Sequence, residues 1–238
     1  MKTAWIFLLA VTLGGCATTP ATGDGDVEYF AGDAAMRELT GQVHFCRVTE
    51  FNATDTGEGI VADGDVPEND YTIVFSRGGL VTSDEYFIYR YDAKGQLQSA
   101  RSVNSGSTFG RIGRDPDGRI TEITNKNQLL PAGDWQRAII WDAEGRVGAV
   151  KTTYAGFSDS YMYSYGTDGL LEGATYNFAN GENVVRQDIS YRYTAVDEHG
   201  NWTERAVTTT HTESGNSDSF RNGIRTYLTI ERRRIEYY

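Results

Sequence analysis

The stretch Arg114-Asp115-Pro116-Asp117-Gly118-Arg119-Ile120 contains a tight chain reversal followed by a large apolar residue. An Asp at the first position of a type I turn accepts hydrogen bonds from backbone N–H groups further along, and Gly at the fourth position adopts a positive φ without strain. Pro116 supplies the φ that the second turn position requires. This stretch therefore predicts a β-hairpin closed by a type I turn with a glycine bulge.

The same pattern occurs five times along the chain, with a large residue before each turn and another two positions after its last Gly. The first and last turn residues are Asp92 and Gly95, Asp115 and Gly118, Asp142 and Gly145, Gly166 and Gly169, and Asp197 and Gly200. Because the bulge sets the register, the two large residues of each copy are predicted to face each other across the hairpin. The predicted pairs are Tyr91 with Leu97, Arg114 with Ile120, Trp141 with Val147, Tyr165 with Leu171, and Val196 with Trp202. Cross-strand pairs of this kind contribute roughly 0.2–1 kcal/mol each.

Strand-like alternation leads into these turns. Tyr161, Tyr163 and Tyr165 occupy every second position, which is the period of a β-strand. The spacing between copies leaves room for two strands of about eight to ten residues. The sequence therefore predicts an all-β fold, an antiparallel up-and-down meander of repeated hairpins that forms an open curved sheet or a partial barrel.

The two ends of the folded part carry separate expectations. Residues 226–238 are predicted to form the last strand, in which Arg232, Arg233 and Arg234 would blunt an exposed sheet edge. Residues 27–81 could form a second layer, with a short helix near 34–39.

The N-terminus has the features of an export signal. Lys2 precedes an apolar run over residues 4–13, which as a helix spans about 15 Å and is too short for a bilayer core of about 30 Å. A positive start and a short apolar run before small residues are typical of a secretory signal peptide. Leu13-Gly14-Gly15-Cys16 resembles the lipobox of bacterial lipoproteins. The resemblance implies cleavage before Cys16 and acylation of that residue, and several acyl chains anchor a protein stably in a membrane.

These features predict the domain organisation and the location. Residues 1–15 are the predicted signal peptide, 16–26 the lipidated Cys and a flexible tether, and 27–238 a single β-repeat domain. The alternative is an ordinary signal peptide with an accidental Cys. Ala17 stands where enteric bacteria use Asp to keep lipoproteins at the inner membrane, so the expected location is the cell envelope at the outer membrane. The membrane leaflet stays open.

The net charge bears on nucleic-acid binding, and the cysteine content bears on disulfide bonds. The 238 residues carry a formal net charge of −11, and nucleic-acid binding relies on clustered Lys and Arg, so no nucleic-acid partner is predicted. The chain has 2 cysteines, and acylation of Cys16 would leave Cys46 without an intrachain disulfide partner. Stability must then come from packing and from the sheet.

The hairpin copies resemble the YD (Rhs-type) repeat, whose core is Tyr-Asp-x-x-Gly followed by an apolar residue. The resemblance covers residues 86–205 and is carried by Tyr91-Asp92, the one literal copy of the dipeptide, and by the stretch from Tyr191 through Trp202 to Arg205. In large family members many repeats wind into a β-shell around a toxin, and five copies are too few to close such a shell. The resemblance implies a small cell-envelope lipoprotein with a short repeat sheet, and it implies no activity.

Eight aromatic residues fall on one predicted face of the sheet. They are Tyr89, Tyr91, Trp141, Tyr161, Tyr163, Tyr165, Tyr191 and Tyr193. Exposed, this aromatic face would be a platform for stacking sugars or a protein partner; covered by another layer, it would be core. Both interpretations stay open at this point.

Other candidate sites are weaker, and no catalytic residue, metal or cofactor is assigned. His44 and Cys46 are two apart on a predicted strand, so they could share a face as a thiolate–imidazole pair, although a buried Cys beside a structural His is more common. Residues 63–70 are rich in carboxylates but lack the spacing of an EF-hand. His211, Glu213 and Ser214 lack the Gly-x-Ser-x-Gly elbow of hydrolases.

Three functional hypotheses follow from the sequence. The first is a non-enzymatic, outer-membrane-anchored lipoprotein whose β-sheet acts as an interaction module in the cell envelope, with an envelope protein or a glycan as the possible partner. The second is a glycan or peptidoglycan binder that uses the aromatic face. The third is a periplasmic enzyme.

Overall fold

The structure is a computed structural model that describes residues 31–95, 97–103, 108–109, 111–125, 135–154, 156–215 and 222–238. Within these ranges the chain forms one short helix, α1 (Ala31–Ala35), and 16 strands. The strands are β1 (Val43–Asp55), β2 (Ile60–Ala62), β3 (Asn69–Phe75), β4 (Val81–Ser83), β5 (Phe87–Tyr91), β6 (Leu97–Ser102), β7 (Thr108–Phe109), β8 (Arg111–Arg114), β9 (Ile120–Asn125), β10 (Trp135–Trp141), β11 (Val147–Tyr154), β12 (Ser158–Tyr165), β13 (Leu171–Asn180), β14 (Asn183–Val196), β15 (Trp202–Ser214) and β16 (Gly223–Tyr237). The predicted signal peptide, Cys16 and the tether lie outside the described residues.

The strands form one antiparallel sheet, which confirms the predicted all-β meander. Its order is β7-β6-β5-β4-β3-β1-β16-β15-β14-β13-β12-β11-β10-β9-β8, and β2 pairs with β1 beside this path. The sheet has two arms: one runs from β1 to β7 and the other from β8 to β16. Within each arm the strands lie in the order of the sequence, apart from β2, and the pairing of β1 with β16 joins the two arms. The two ends of the sheet approach each other where β6 lies beside β8. The sheet therefore curves until it nearly closes into a barrel.

The five hairpins have the predicted register. Each predicted pair is observed, and each lies next to a register shift of the kind that a bulge produces: Tyr91↔Leu97, Arg114↔Ile120, Trp141↔Val147, Tyr165↔Leu171 and Val196↔Trp202. The last Gly of every turn has a φ between 71° and 82°. Its N–H donates to the carbonyl three residues earlier, as Gly118 does to Asp115 at 3.0 Å. Local turn chemistry therefore sets the register of these hairpins.

The C-terminal strand is not a sheet edge, so the predicted role of its three arginines is wrong. β16 lies between β15 and β1 and is paired on both sides. Arg232 and Arg234 point outward and pair with Glu204 and Glu236. Arg233 alternates to the interior, where its side chain is 5% exposed.

Residues near the N-terminus also differ from expectation. The strands between residues 43 and 83 belong to the same sheet rather than to a second layer. The predicted helix near 34–39 begins earlier, at Ala31, and ends at Ala35. Ala34, Met36 and Leu39 are buried inside the curved sheet, so this N-terminal segment fills part of the core.

Candidate functional site

The aromatic face lies in the interior of the curved sheet. Tyr161 and Tyr191 are 6% and 8% exposed. The other six members are partly buried and pack against the apolar core: Tyr89, Tyr91, Trp141, Tyr163, Tyr165 and Tyr193. Their flat ring surfaces are in contact with other side chains, as in the stacking of Tyr161 on Tyr163 at 6.1 Å between centroids. The structure thus places the eight residues in or against three core clusters, which leaves little ring surface for a sugar.

Three of these aromatic residues connect one repeat to the repeat before it. Each donates its polar hydrogen to the backbone carbonyl of the large residue that follows the preceding turn. Trp141 Nε1 donates to Ile120 O at 2.7 Å, Tyr165 Oη to Val147 O at 2.8 Å, and Tyr193 Oη to Leu171 O at 2.9 Å. A Tyr or Trp combines apolar contact area with one such donor. The aromatic residues therefore link the hairpins into a ladder.

Arginines next to the turns strengthen the same links. Arg119 is paired with Asp115 at 2.7 Å and lies 5.6 Å from the ring of Trp141. Arg146 repeats the arrangement with Asp142, at 2.7 Å, and lies 4.6 Å from the ring of Tyr165. Each turn carboxylate thus holds a cation over the aromatic residue of the next repeat, where cation–π attraction adds to the packing.

Four buried tyrosine hydroxyls inside the sheet have no hydrogen-bond partner in the described part of the chain: those of Tyr91, Tyr161, Tyr176 and Tyr191. Burial raises the pKa of each of these hydroxyls, because the phenolate is disfavoured away from water. The rings contribute apolar contact, and the hydroxyls contribute a desolvation cost.

The most densely charged part of the interior is centred on Arg205, in β15. Arg205 Nη1 contacts both carboxylate oxygens of Glu38, at 2.8 and 3.1 Å, and its Nε and Nη2 contact Glu231 at 2.7 and 2.6 Å. The side chains of Arg205 and Glu38 are 1% and 0% exposed. Trp202 Nε1 also donates to Glu38. We call Glu38, Arg205, Glu231, Arg233 and Trp202 the buried charge cluster.

Aromatic rings surround the cations of the buried charge cluster. The guanidinium of Arg205 lies 3.9 Å from the ring centroid of Trp202 and 4.3 Å from that of Tyr191. The guanidinium of Arg233 lies 3.6 Å from the ring centroid of Trp202. Burial works against the charge of Arg205, but Glu231 and Glu38 outweigh it and raise the pKa of the guanidinium. Ion pairs this deeply buried hold only when every charge has a partner.

The cluster fixes the N-terminal segment to the sheet. Arg233 donates to the carbonyls of Glu38 and Arg37, at 3.0 and 2.8 Å. The N–H of Glu38 donates to Ala35 and that of Leu39 to Ala34, the bond pattern of a Schellman cap. Such a cap requires a positive φ, and Glu38 supplies it, at 60°, where Gly is usual. A charged residue thus occupies a strained position because its carboxylate is needed inside the sheet.

Sequence reasoning missed the roles of Glu38, Arg205 and Arg233. Arg205 was visible only as a residue after a repeat turn, and Arg233 only as the middle of three arginines. The period-two alternation of β16 was the available signal, because it places Arg233 on the face opposite to Arg232 and Arg234.

His44 and Cys46 are not a pair, so the prediction that they share a face is wrong. The register of β1 against β16 shifts between Val43 and Phe45. This irregularity at His44 turns its ring outward against Tyr238, at 4.8 Å between centroids, while Cys46 is fully buried. Burial raises the pKa of the Cys46 thiol, which favours an unreactive thiol.

Three of the four carboxylates within residues 63–70 have separate partners. Asp63 accepts from Thr54, Glu68 from Asn52, and Asp70 from Arg47. In the described ranges, no group of three or more His, Cys, Asp or Glu residues is placed to hold a metal ion. The structure therefore does not assemble these acids into a calcium site.

His211 and Glu213 lie on the same face of β15, with 3.7 Å between His211 Nε2 and Glu213 Oε2. Glu213 also pairs with Arg225 at 3.2 Å, and His211 contacts Gln187. Ser214 follows at the end of the strand with its side chain on the opposite face by alternation. The three residues do not form a nucleophile–base arrangement.

The fold and the interior define an all-β protein, an antiparallel meander of hairpins with a buried charge cluster. Comparison with protein-family models and with curated proteins finds no match. No helix in the described ranges is both long and apolar enough to cross a bilayer.

Proposed function

We propose that this protein is a lipoprotein of the bacterial cell envelope, anchored at the outer membrane by acyl chains on Cys16, whose repeat sheet serves as a non-enzymatic interaction module. The sequence support is the resemblance of residues 13–16 to a lipobox and that of the hairpins to the YD repeat. The structural support comes from how the domain is attached to its N-terminal segment.

One observation carries this proposal. The first described residues after the proposed anchor form α1 and the segment to Glu38, and these are fixed inside the sheet by Arg205, Arg233 and Trp202. In a domain tethered to a membrane by its N-terminus, a force on the tether should not separate the strands of the sheet one after another. Glu38 and Arg205 provide an attachment of this kind, because they connect the start of the domain to a central strand.

The outward face supplies apolar contact points for a partner. Ile140 and Met162 are 57% and 54% exposed. Both pair in register with Ala149 of the strand between them, so they lie in one row across β10, β11 and β12. The polar groups of the interior hold the repeats and the N-terminal segment together, which supports a structural rather than catalytic use of that interior.

Mass spectrometry of the membrane-extracted protein, beside a Cys16→Ser variant, tests the anchor. We expect a mature chain that begins at acylated Cys16, and we expect the variant to lose both the lipid mass and membrane association. An unmodified wild-type chain cleaved at another position would refute the anchor and make this a soluble secreted β-protein.

A photo-crosslinking residue in place of Met162, used in intact cells, tests the interaction surface. The matched control is the same residue in place of Thr226, which is exposed in the same row of the outer face. We expect a discrete crosslinked product at 162 and none at 226. Equal products at both positions, or none at either, would contradict the proposed surface.

The reactivity of the Cys46 thiol distinguishes a non-enzymatic module from an enzyme. Because the thiol is buried, we expect it to react with a thiol reagent only after denaturation. Rapid reaction in the native protein at neutral pH would instead favour the enzyme hypothesis.

A further inference from the structure

The described residues of β6 and β8 are neighbours in the curved sheet but form no residue pairs with each other. Among the described residues, β7 pairs with β6 over two residues, β8 pairs with β9, and one residue separates β7 from β8 in the chain. The chain therefore crosses here from one end of the sheet to the other, and β6 lies beside β8 without forming a ladder. We call this gap between β6 and β8 the seam.

The N-terminal segment crosses the seam on its inner side. Asp33 is fully buried and contacts both arms of the sheet: its Oδ2 accepts from Val81 N, in β4, at 2.9 Å, and its Oδ1 pairs with Arg114, in β8, at 2.6 Å. Arg37 holds one arm separately, through Asp84 at 2.9 Å, and Asp84 also accepts from Tyr89 of β5. Charged contacts on the same short segment thus tie the two arms together.

Apolar contacts repeat this bridging pattern. Met36 packs in one core cluster with Ile112 of β8 and Ile120 of β9, while Ala34 and Leu39 pack in another with Val81 and the strands around β1. The packing beneath the segment is incomplete. A cavity of about 30 Å³ lies between Asp33, Met36, Arg37 and the seam residues, which include Ile112. A space of this size holds about one water molecule.

We propose that residues 33–38 act as a strap that holds the seam closed, so that release of the strap opens the sheet between β6 and β8 while the rest of the sheet stays folded. At the seam the ladder from β6 is short, with two described pairs to β7 and none to β8, so contacts of the strap hold the two arms together there. Opening exposes Ile112, Ile120 and the neighbouring tyrosines. The strap belongs to the first described segment after the proposed anchor, so along the chain it precedes every described strand. The seam itself does not depend on the anchor.

Thiol accessibility measures opening of the seam directly. In a background with Cys16→Ser and Cys46→Ala, which leaves no native thiol, Ile112→Cys places a reporter thiol at the seam, and Ala174→Cys places one in β13, far from it. Both native side chains are buried, at 7% and 6% exposure. Each reporter is then combined with Asp33→Asn, which removes the charge that bridges the arms but keeps the shape of the side chain. The full chain in detergent is treated with an aromatic disulfide reagent.

We expect Asp33→Asn to raise the reaction rate of the 112 reporter by at least about tenfold and to leave the 174 reporter unchanged, because loss of one partner of a buried ion pair acts on the local opening that it controls. Arg146→Gln is the control, since it breaks a 2.7 Å ion pair that is less buried than the 2.6 Å pair of Asp33 with Arg114 and lies away from the seam. It should not change the 112 reporter.

Two results would overturn the strap. Equal acceleration of both reporters would show global destabilisation, and an unchanged 112 reporter would show that the strap does not control the seam. Should Asp33→Asn fail to fold, the reporters in the otherwise unaltered chain decide the question in low urea. There the 112 thiol must react faster than the 174 thiol, and equal rates would refute the proposal.

Discussion

Glu38 and Arg205 form an ion pair at 2.8 Å although 167 residues separate them in the chain and neither side chain is accessible to water. Two charges at such depth lose their hydration on folding, and their attraction offsets that loss only when the remaining hydrogen bonds are also made. Trp202 donates to the Glu38 carboxylate and Glu231 accepts from Arg205, while Arg233 adds an ion-pair contact with Glu38 at 3.6 Å. The pair therefore joins the N-terminal segment to β15 and marks the part of the interior that is most sensitive to substitution.

Substitution of Glu38 by Gln should lower the free energy of unfolding by about 3 kcal/mol, because Arg205 and Arg233 would stay buried with one carboxylate fewer. Urea denaturation measures the loss. The control is Glu204→Gln, which breaks the outward pair with Arg232 at 2.8 Å and should cost no more than about 1 kcal/mol. A loss at Glu38 as small as that at Glu204 would show that the buried charge cluster does not stabilise the fold.

The backbone at Glu38 can be tested apart from its charge. Glu38→Gly and Glu38→Ala both remove the carboxylate, but only Gly adopts the φ of 60° without strain. We therefore expect the Gly variant to be more stable than the Ala variant by about 1 kcal/mol in urea denaturation. Equal stabilities would mean that the cap relaxes around the new side chain.

The tyrosine hydroxyls should differ in their contribution to stability. Tyr176→Phe removes a buried hydroxyl without a described partner, so the unfolding free energy should stay the same or rise by up to about 1 kcal/mol. Tyr193→Phe removes the 2.9 Å bond to Leu171 O and should cost about 1 kcal/mol. Thermal denaturation of the two variants compares them. A loss at Tyr176 equal to that at Tyr193 would show that the first hydroxyl has a partner in the folded protein.

The raised pKa of Glu50 leads us to expect that the stability of the fold depends on pH. Burial raises the pKa of this carboxyl, so the folded protein holds its proton to a higher pH than the unfolded chain does. Its effect on stability therefore becomes unfavourable as the pH rises above the ordinary Glu value of about 4.3. Glu50→Gln should gain stability relative to the wild type between about pH 4 and pH 7, measured by urea denaturation at several pH values.

Asp70 is the control for Glu50, because its pKa is shifted in the opposite direction. The hydrogen bond from Arg47 lowers the pKa of Asp70, so its contribution is favourable above the ordinary Asp pKa and is lost as the pH falls through its lowered value. Asp70→Asn should therefore lose stability relative to the wild type as the pH rises from acid to neutral. The same trend in both variants would contradict the assignment of the two shifts.

The sequence by itself determined the hairpins. Asp115, Gly118 and their counterparts act on backbone groups only a few residues away, so turn type, register and the pairing of Trp141 with Val147 follow from local chemistry. The alternation of Tyr161, Tyr163 and Tyr165 likewise set one common face. What that face contacts was left open, because a strand's alternation does not say whether its apolar side is covered.

Only the tertiary structure decided how the sheet is joined and filled. The pairing of β1 with β16 turned the expected edge strand into a central one and directed Arg233 inward. It also brought Glu38 to Arg205, and the irregularity at His44 separated that residue from Cys46. These contacts join distant parts of the chain, and their stability depends on how completely the folded interior compensates buried charge. No local pattern of residues carries that information.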